Sequence, residues 1–148
     1  MKKLLLIFSI FFIAGCASKN SDISNQTALF WHQAIYKDIT HYNLDNADDK
    51  FTSLEIEHPN SKFIPIDLLN LFRAHYENEE YILASFYLNE YKKRYASHSE
   101  KEWCDYTDIK LKFFSIKNSY TNQKKVLDTL SLTGKVLDRY PNSPYNYE

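Results

Sequence analysis

The sequence predicts an all-α fold, a stack of about three helical hairpins, and three observations carry that prediction. Glycine occupies only two of 148 positions, Gly15 and Gly134, whereas a β-sandwich or barrel of this length needs many Gly-rich turns. Apolar residues recur at intervals of three and four along most of the chain, the period of an amphipathic helix. The tetrapeptides His58-Pro59-Asn60-Ser61 and Tyr140-Pro141-Asn142-Ser143 each close such an amphipathic run. Proline ends the helix before it, because its ring and missing N–H cannot continue the ladder. Asn or Ser then offers a side-chain oxygen to cap the next helix. All four prolines, Pro59, Pro65, Pro141 and Pro144, lie at or just after these two sites.

The N-terminus reads as a targeting segment. Met1-Lys2-Lys3 is a short positive region, and the apolar run at 4–13 is too short for a permanent span. Ile13-Ala14-Gly15-Cys16 resembles the bacterial lipobox. That resemblance implies cleavage after residue 15 and a covalent diacylglycerol and N-acyl lipid on Cys16. The alternative is an ordinary signal peptide with an incidental cysteine. Two or more acyl chains hold a protein firmly, at roughly 0.8 kcal/mol per buried CH₂. Ala17 after the cysteine resembles the outer-membrane sorting pattern. The expected organisation is a signal peptide at 1–15, a lipidated flexible tether at 16–26, and a helical repeat domain at 27–148.

Within that domain the first helix fits Ala28, Trp31, Ile35, Ile39 and Tyr42, followed by a polar turn at Asn43 to Asn46. The second fits Ala47, Phe51, Leu54 and His58, and stops at Pro59. The third carries two stripes, Leu68-Leu71-His75 and Leu69-Phe72-Tyr76, so it is covered on two faces and lies inside the stack. After a turn at Glu77 to Glu80, the fourth fits Ala84, Leu88, Tyr91 and Tyr95. Ser99 with Glu102 predicts a capping box opening a fifth helix through Trp103, Tyr106, Ile109 and Phe113. A turn at Asn118 to Asn122 leads to a sixth, through Val126, Leu130, Thr133, Leu137 and Tyr140.

These helices repeat. Ala47, Phe51, Leu54 and His58 shifted by 37 give Ala84, Leu88, Tyr91 and Tyr95; shifted by 82 they give Thr129, Thr133, Val136 and Tyr140. The spacings bracket the roughly 34-residue helix-turn-helix repeat. The fold expected is therefore a tetratricopeptide-like solenoid of αα-hairpins, an architecture that binds extended peptides or partner surfaces. The last Pro-Asn-Ser turn, with Ser143 as cap and Pro144 as first position, promises a further helix that the remaining residues do not supply.

Catalytic chemistry finds no foothold, so no enzyme, cofactor or metal site is expected. With Gly134 the sole glycine after the leader, no phosphate-cradling loop can be built. His32, His41, His58, His75 and His98 fall in five segments with no zinc spacing. Asp48-Asp49 and Glu79-Glu80 are read as helix first-turn acids that complement the dipole, and Lys92-Lys93-Arg94 as its C-terminal counterpart. The latter also allows a partner-binding basic patch. Cys104, alone after the lipidation site, reads first as a buried thiol, with catalysis or intermolecular pairing as alternatives. A net charge of −1 gives no reason to expect nucleic acid.

With these features in place the chain resembles the BamD family, tetratricopeptide lipoproteins of the β-barrel assembly machinery. The resemblance rests on the lipobox and on Ala47-x₃-Phe51-x₂-Leu54 leading into His58-Pro59-Asn60-Ser61. It continues in the runs from Leu68 to Tyr76 and from Ala84 to Leu88, and is most specific in Asp138-Arg139-Tyr140-Pro141-Asn142-Ser143-Pro144-Tyr145. One departure is Ala96-Ser97-His98, which lacks the proline expected at the second junction and predicts a looser turn. The family resemblance implies an outer-membrane anchor on the periplasmic face. It also implies contact with BamA periplasmic domains and other Bam lipoproteins, and reception of unfolded outer membrane proteins. Further C-terminal hairpins of the family carry much of the BamA contact. In this reading the N-terminal hairpins take the C-terminal strand of a nascent barrel protein. Arg73 and Tyr76 lie on the groove side with Trp31 nearby, and Arg73 either binds a terminal carboxylate or pairs within the chain. The runner-up is another envelope lipoprotein scaffold, a secretin pilotin or a cell-wall or division-linked adaptor.

Overall fold

A computed structural model describes residues 26–116 and 122–147, and they form six α-helices with no strand among them. The expected lipobox, Cys16 and the tether through residue 25 lie outside the described residues, as does most of the turn before the sixth helix. The helices are α1 (Ala28–Thr40), α2 (Leu44–Glu57), α3 (Ile64–Glu77), α4 (Tyr81–Arg94), α5 (His98–Phe114) and α6 (Gln123–Arg139). Each packs on its sequence neighbours, and α3 also packs on α1, so successive hairpins stack as a tetratricopeptide-like solenoid. The third helix is thus enclosed from two sides, as its two stripes require.

The repeat sets the helix ends. His58, Tyr95 and Tyr140, related by the shifts of 37 and 82, are the C-caps of α2, α4 and α6. Their N–H groups donate to Leu54, Tyr91 and Val136, which are themselves equivalent. Both Pro-Asn-Ser turns have the same bonding. The serine N–H donates to the C-cap carbonyl, Ser61 to His58 at 2.9 Å and Ser143 to Tyr140 at 3.1 Å. The serine hydroxyl then accepts from the second residue on, Phe63 at 3.2 Å and Tyr145 at 3.1 Å. Serine caps the turn itself, not the helix proper: α3 begins three residues after Ser61, with Pro65 in its first turn where no donor is needed. A 3-10 segment, Pro144–Tyr147, follows the second copy.

Ala47, Phe51, Leu54, Leu68, Leu71, Ala84, Leu88 and Leu111 are buried in one continuous core. Ala47 and Ala84, equivalent residues with no exposed surface, let the paired helices approach closely. Trp31 and Ile35 complete the core from α1, with the Trp31 indole N–H donating to Glu57 at 2.9 Å.

Four expectations change. The second helix begins at Leu44, with Asn43 at its N-cap position, so the first turn is three residues and Tyr42 is left exposed outside α1. The capping box is Ser97 with Glu100, not Ser99 with Glu102. Ser97 Oγ accepts the Glu100 N–H at 3.4 Å while Glu100 Oε2 accepts the Ser97 N–H at 2.7 Å. That reciprocal pair closes the junction that lacks a proline. In α5 the buried residues are Cys104, Asp105, Tyr106, Asp108 and Leu111, whereas Phe113 is 64% exposed. In α6 the buried face is Thr129 and Val136, whereas Leu130 is 62% exposed. The repeat alignment, which placed Thr129 and Val136 on the inner face, outperforms the leucine stripe here.

Candidate functional site

Carboxylates at the helix interfaces tie the hairpins together. Asp48 lies beyond the first turn of α2 and not in it; Asp45 is the acid near the helix start. Asp48 instead accepts from His75 Nε2 at 3.0 Å and from the Tyr87 hydroxyl at 2.7 Å. His75 Nδ1 contacts Glu80 Oε2 at 2.5 Å, and Glu80 is the N-cap residue of α4 without a capping bond of its own. Both imidazole nitrogens face carboxylate oxygens, which only accept, so the doubly protonated ring is the form that satisfies both contacts. Burial pulls its pKa down, but the hydrogen bonds to Asp48 and Glu80 outweigh that and hold it above the ordinary 6.5.

The same device recurs further along. Asp108 of α5 accepts from Ser85, from Asn89 at 3.1 Å and from Lys112 at 2.6 Å. Asp105 accepts from Lys92 at 2.5 Å, Arg139 at 3.1 Å and the Tyr140 hydroxyl at 3.2 Å. Arg94 bonds Glu55 and lies over the Tyr95 ring at 5.1 Å. Two of the three cations in Lys92-Lys93-Arg94 are therefore used within the fold. Cys104 is wholly buried, and burial pushes its thiol up to about 12, the state of an inert core cysteine.

Asp67 has no exposed surface, yet only its Oδ1 is bonded, to His32 at 2.7 Å and Asn70 at 3.3 Å. Desolvation raises its pKa against the opposing pull of His32. Asn70, one turn along α3, leads from this pair into an open cleft between α1 and α3. The cleft has a volume of about 470 Å³ and is lined by Tyr36, Ile39, Tyr42, Asn70, Arg73 and Glu77, among others. Arg73 is exposed and, among the described residues, makes no ion pair.

Of the three residues expected at a groove, the structure places only Arg73 in this cleft. Trp31 is 3% exposed and belongs to the core, because its indole is sealed between helices and bonded to Glu57. Tyr76 is partly exposed but joins a separate aromatic run, 6.3 Å from Phe72 and 6.1 Å from Tyr81. Sequence reasoning missed Tyr36 and Tyr42. Tyr42 fits the periodic stripe of the first helix in the sequence, and only the end of α1 at Thr40 turns it out of the core.

The arrangement offers one guanidinium without an ion pair, two exposed phenol rings and a lining of mixed polarity from Ile39, Ala74, Asn70 and Glu77. No helix among the described residues is long and apolar enough to cross a membrane. A family model described as YfiO, outer membrane lipoprotein, matches residues 24–148. The chain belongs to this family. A curated relative is the outer membrane protein assembly factor BamD of Helicobacter pylori (strain ATCC 700392 / 26695), 35% identical over 133 residues. The match covers 88% of this chain and 60% of the relative, so the chain spans only part of that relative's length.

Proposed function

We propose that this chain is a lipid-anchored scaffold of the outer membrane, held through Cys16 with its helical domain in the periplasm, that helps assemble outer membrane proteins. The supporting observation is membership of a family of outer membrane lipoproteins together with similarity to an assembly factor. Its action is binding: the α1–α3 cleft receives the C-terminal strand of an unfolded barrel protein, with Arg73 meeting the terminal carboxylate in a charge-assisted pair. Its partners are the periplasmic domains of BamA and other Bam lipoproteins. Affinity capture of the tagged chain from detergent-solubilised envelope tests this reading. Co-purification of the barrel-forming subunit is the expected result, and recovery of a secretion or division system in its place would overturn it.

A further inference from the structure

The two ends of the first two hairpins differ in chemistry, and α1 begins at only one of them. There the Trp31 indole meets Glu57 in the last turn of α2, and His58 Nε2 meets the Gln26 carbonyl at 2.7 Å. The start of α3 lies at the same end, with Phe63 stacked on His32 of α1 at 4.5 Å, and α4 finishes there, with Arg94 bonded to Glu55. Leu29 and Phe30 in the first turn of α1, Ile56 in the last turn of α2 and Ile66 in the first turn of α3 are all exposed at this end. Its acids are half-buried and engaged, Glu57 by Trp31 and both Glu55 and Glu90 by Arg94. Lys62 and Lys93, by contrast, are exposed and make no ion pair among the described residues. The opposite end of the same hairpins exposes Asp45, Asp49, Glu77 and Glu79 against the exposed lysine Lys37. Ile82 and Leu83 also surface there, but beside Glu79 and a helix length of about 20 Å away from the start of α1.

We propose that the end of the first two hairpins where α1 begins is the membrane-facing surface of the domain. Leu29, Phe30 and Ile66 enter the interface of a phospholipid bilayer, and Lys62 and Lys93 meet its anionic headgroups. The inference rests on the anchoring reading above, since a lipid on Cys16 is what brings a bilayer within reach. The chain from Cys16 to Gln26 extends at most about 35 Å, which keeps the first turn of α1 near the lipid surface. The bond from His58 to the Gln26 carbonyl holds the exit of that segment against the Pro-Asn-Ser turn. Singly exposed apolar residues are ordinary on a protein surface. Here they surround the exit of the anchored segment and coincide with free lysines, the combination by which interfacial segments hold a bilayer: apolar insertion with attraction to anionic lipid. The acidic opposite end would be repelled by the same headgroups. The helices then stand upright on the bilayer, and the α1–α3 cleft stays open to one side.

The test places the full chain, purified with its acyl lipid, in vesicles of phosphatidylethanolamine and phosphatidylglycerol. A nitroxide is attached to one introduced cysteine, Leu29→Cys, Ile66→Cys or Ile82→Cys. Cys104 is wholly buried and an acylated Cys16 has no free thiol, so neither competes for the label. The three sites are exposed, so each variant should melt with the wild type. Labels at 29 and 66 should collide severalfold more often with oxygen, which concentrates in lipid, than with a water-soluble nickel chelate, and the label at 82 should show the reverse. Lys62→Glu combined with Lys93→Glu should reduce the oxygen preference at 29 and 66. Labels at 29 and 66 as open to the nickel chelate as the label at 82 overturn the membrane face and leave the anchor standing, as does an oxygen preference at 82 alone. A wild-type chain that carries no acyl mass on Cys16 and does not float with the vesicles removes the anchoring reading, and the membrane face with it.

Discussion

His75 of α3, 1% exposed, reaches across to Asp48 of α2 at 3.0 Å, and the same ring stacks on Tyr87 of α4 with centroids 5.3 Å apart. One buried imidazolium thus joins the first hairpin to the second. Its pKa is raised on folding, so its contribution to stability is fully present below the unfolded value of about 6.5 and is lost as pH rises through the folded value. Thermal melts should be insensitive to His75 titration below about pH 6.5 and decline above it. His75→Gln should cost about 1–3 kcal/mol at pH 6 and flatten the alkaline decline. A wild-type decline that persists unchanged in the variant would assign it to other groups.

The two candidate caps of α5 separate cleanly by substitution. Ser97→Ala removes the hydroxyl that accepts the Glu100 N–H and should cost about 1 kcal/mol. Ser99→Ala lies inside the first turn and should stay within about 0.5 kcal/mol of wild type. Urea midpoints of the two variants decide between them, and equal losses would place the helix start elsewhere.

In α6 the inner face is set by the repeat. Val136 is 1% exposed, at the position occupied by Leu54 in α2 and Tyr91 in α4, so Val136→Ala should destabilise by about 1–3 kcal/mol. Leu130→Gln, on the opposite side, should leave the chain's unfolding midpoint within about 0.5 kcal/mol. The reverse ordering would mean that the leucine stripe, and not the repeat, faces the stack.

These contrasts mark what periodicity alone conveys. In α1 to α4 the buried face is mostly aliphatic or aromatic, Asp67 and His75 of α3 apart, and spacing identifies it directly: Ile35, Leu54, Leu68 and Leu88 fall where they are expected. In α5 the buried face includes Asp105 and Asp108 beside Cys104 and Leu111, and the burial of the two aspartates depends on donors in α4 and α6 far away in sequence. A hydrophobic stripe passes over such residues and selects Phe113 instead. The internal repeat carries more, because equivalent helices meet equivalent neighbours; it fixed three C-caps that no local signal united. The cleft was half legible. Arg73 stands out as a cation on an apolar helix, but Tyr36 and Tyr42 line the cleft only because α1 ends at Thr40 and packs on α3.

Gly134 lies inside α6 on the same outer face as Leu130 and Leu137, and a Cβ built there meets no atom within 4 Å. Its φ is not positive, so alanine fits the backbone without strain. Under the shift of 45 that relates α4 to α6, it corresponds to Asn89, whose amide bonds Asp108 of α5. In α6 the equivalent position supports no such contact, and glycine there only adds freedom to the unfolded chain. Gly134→Ala should therefore stabilise by about 0.5–1 kcal/mol, raising the melting temperature by a few degrees. A lowered melting temperature would show that this face of α6 is closely covered in solution, with glycine retained for the approach of another element.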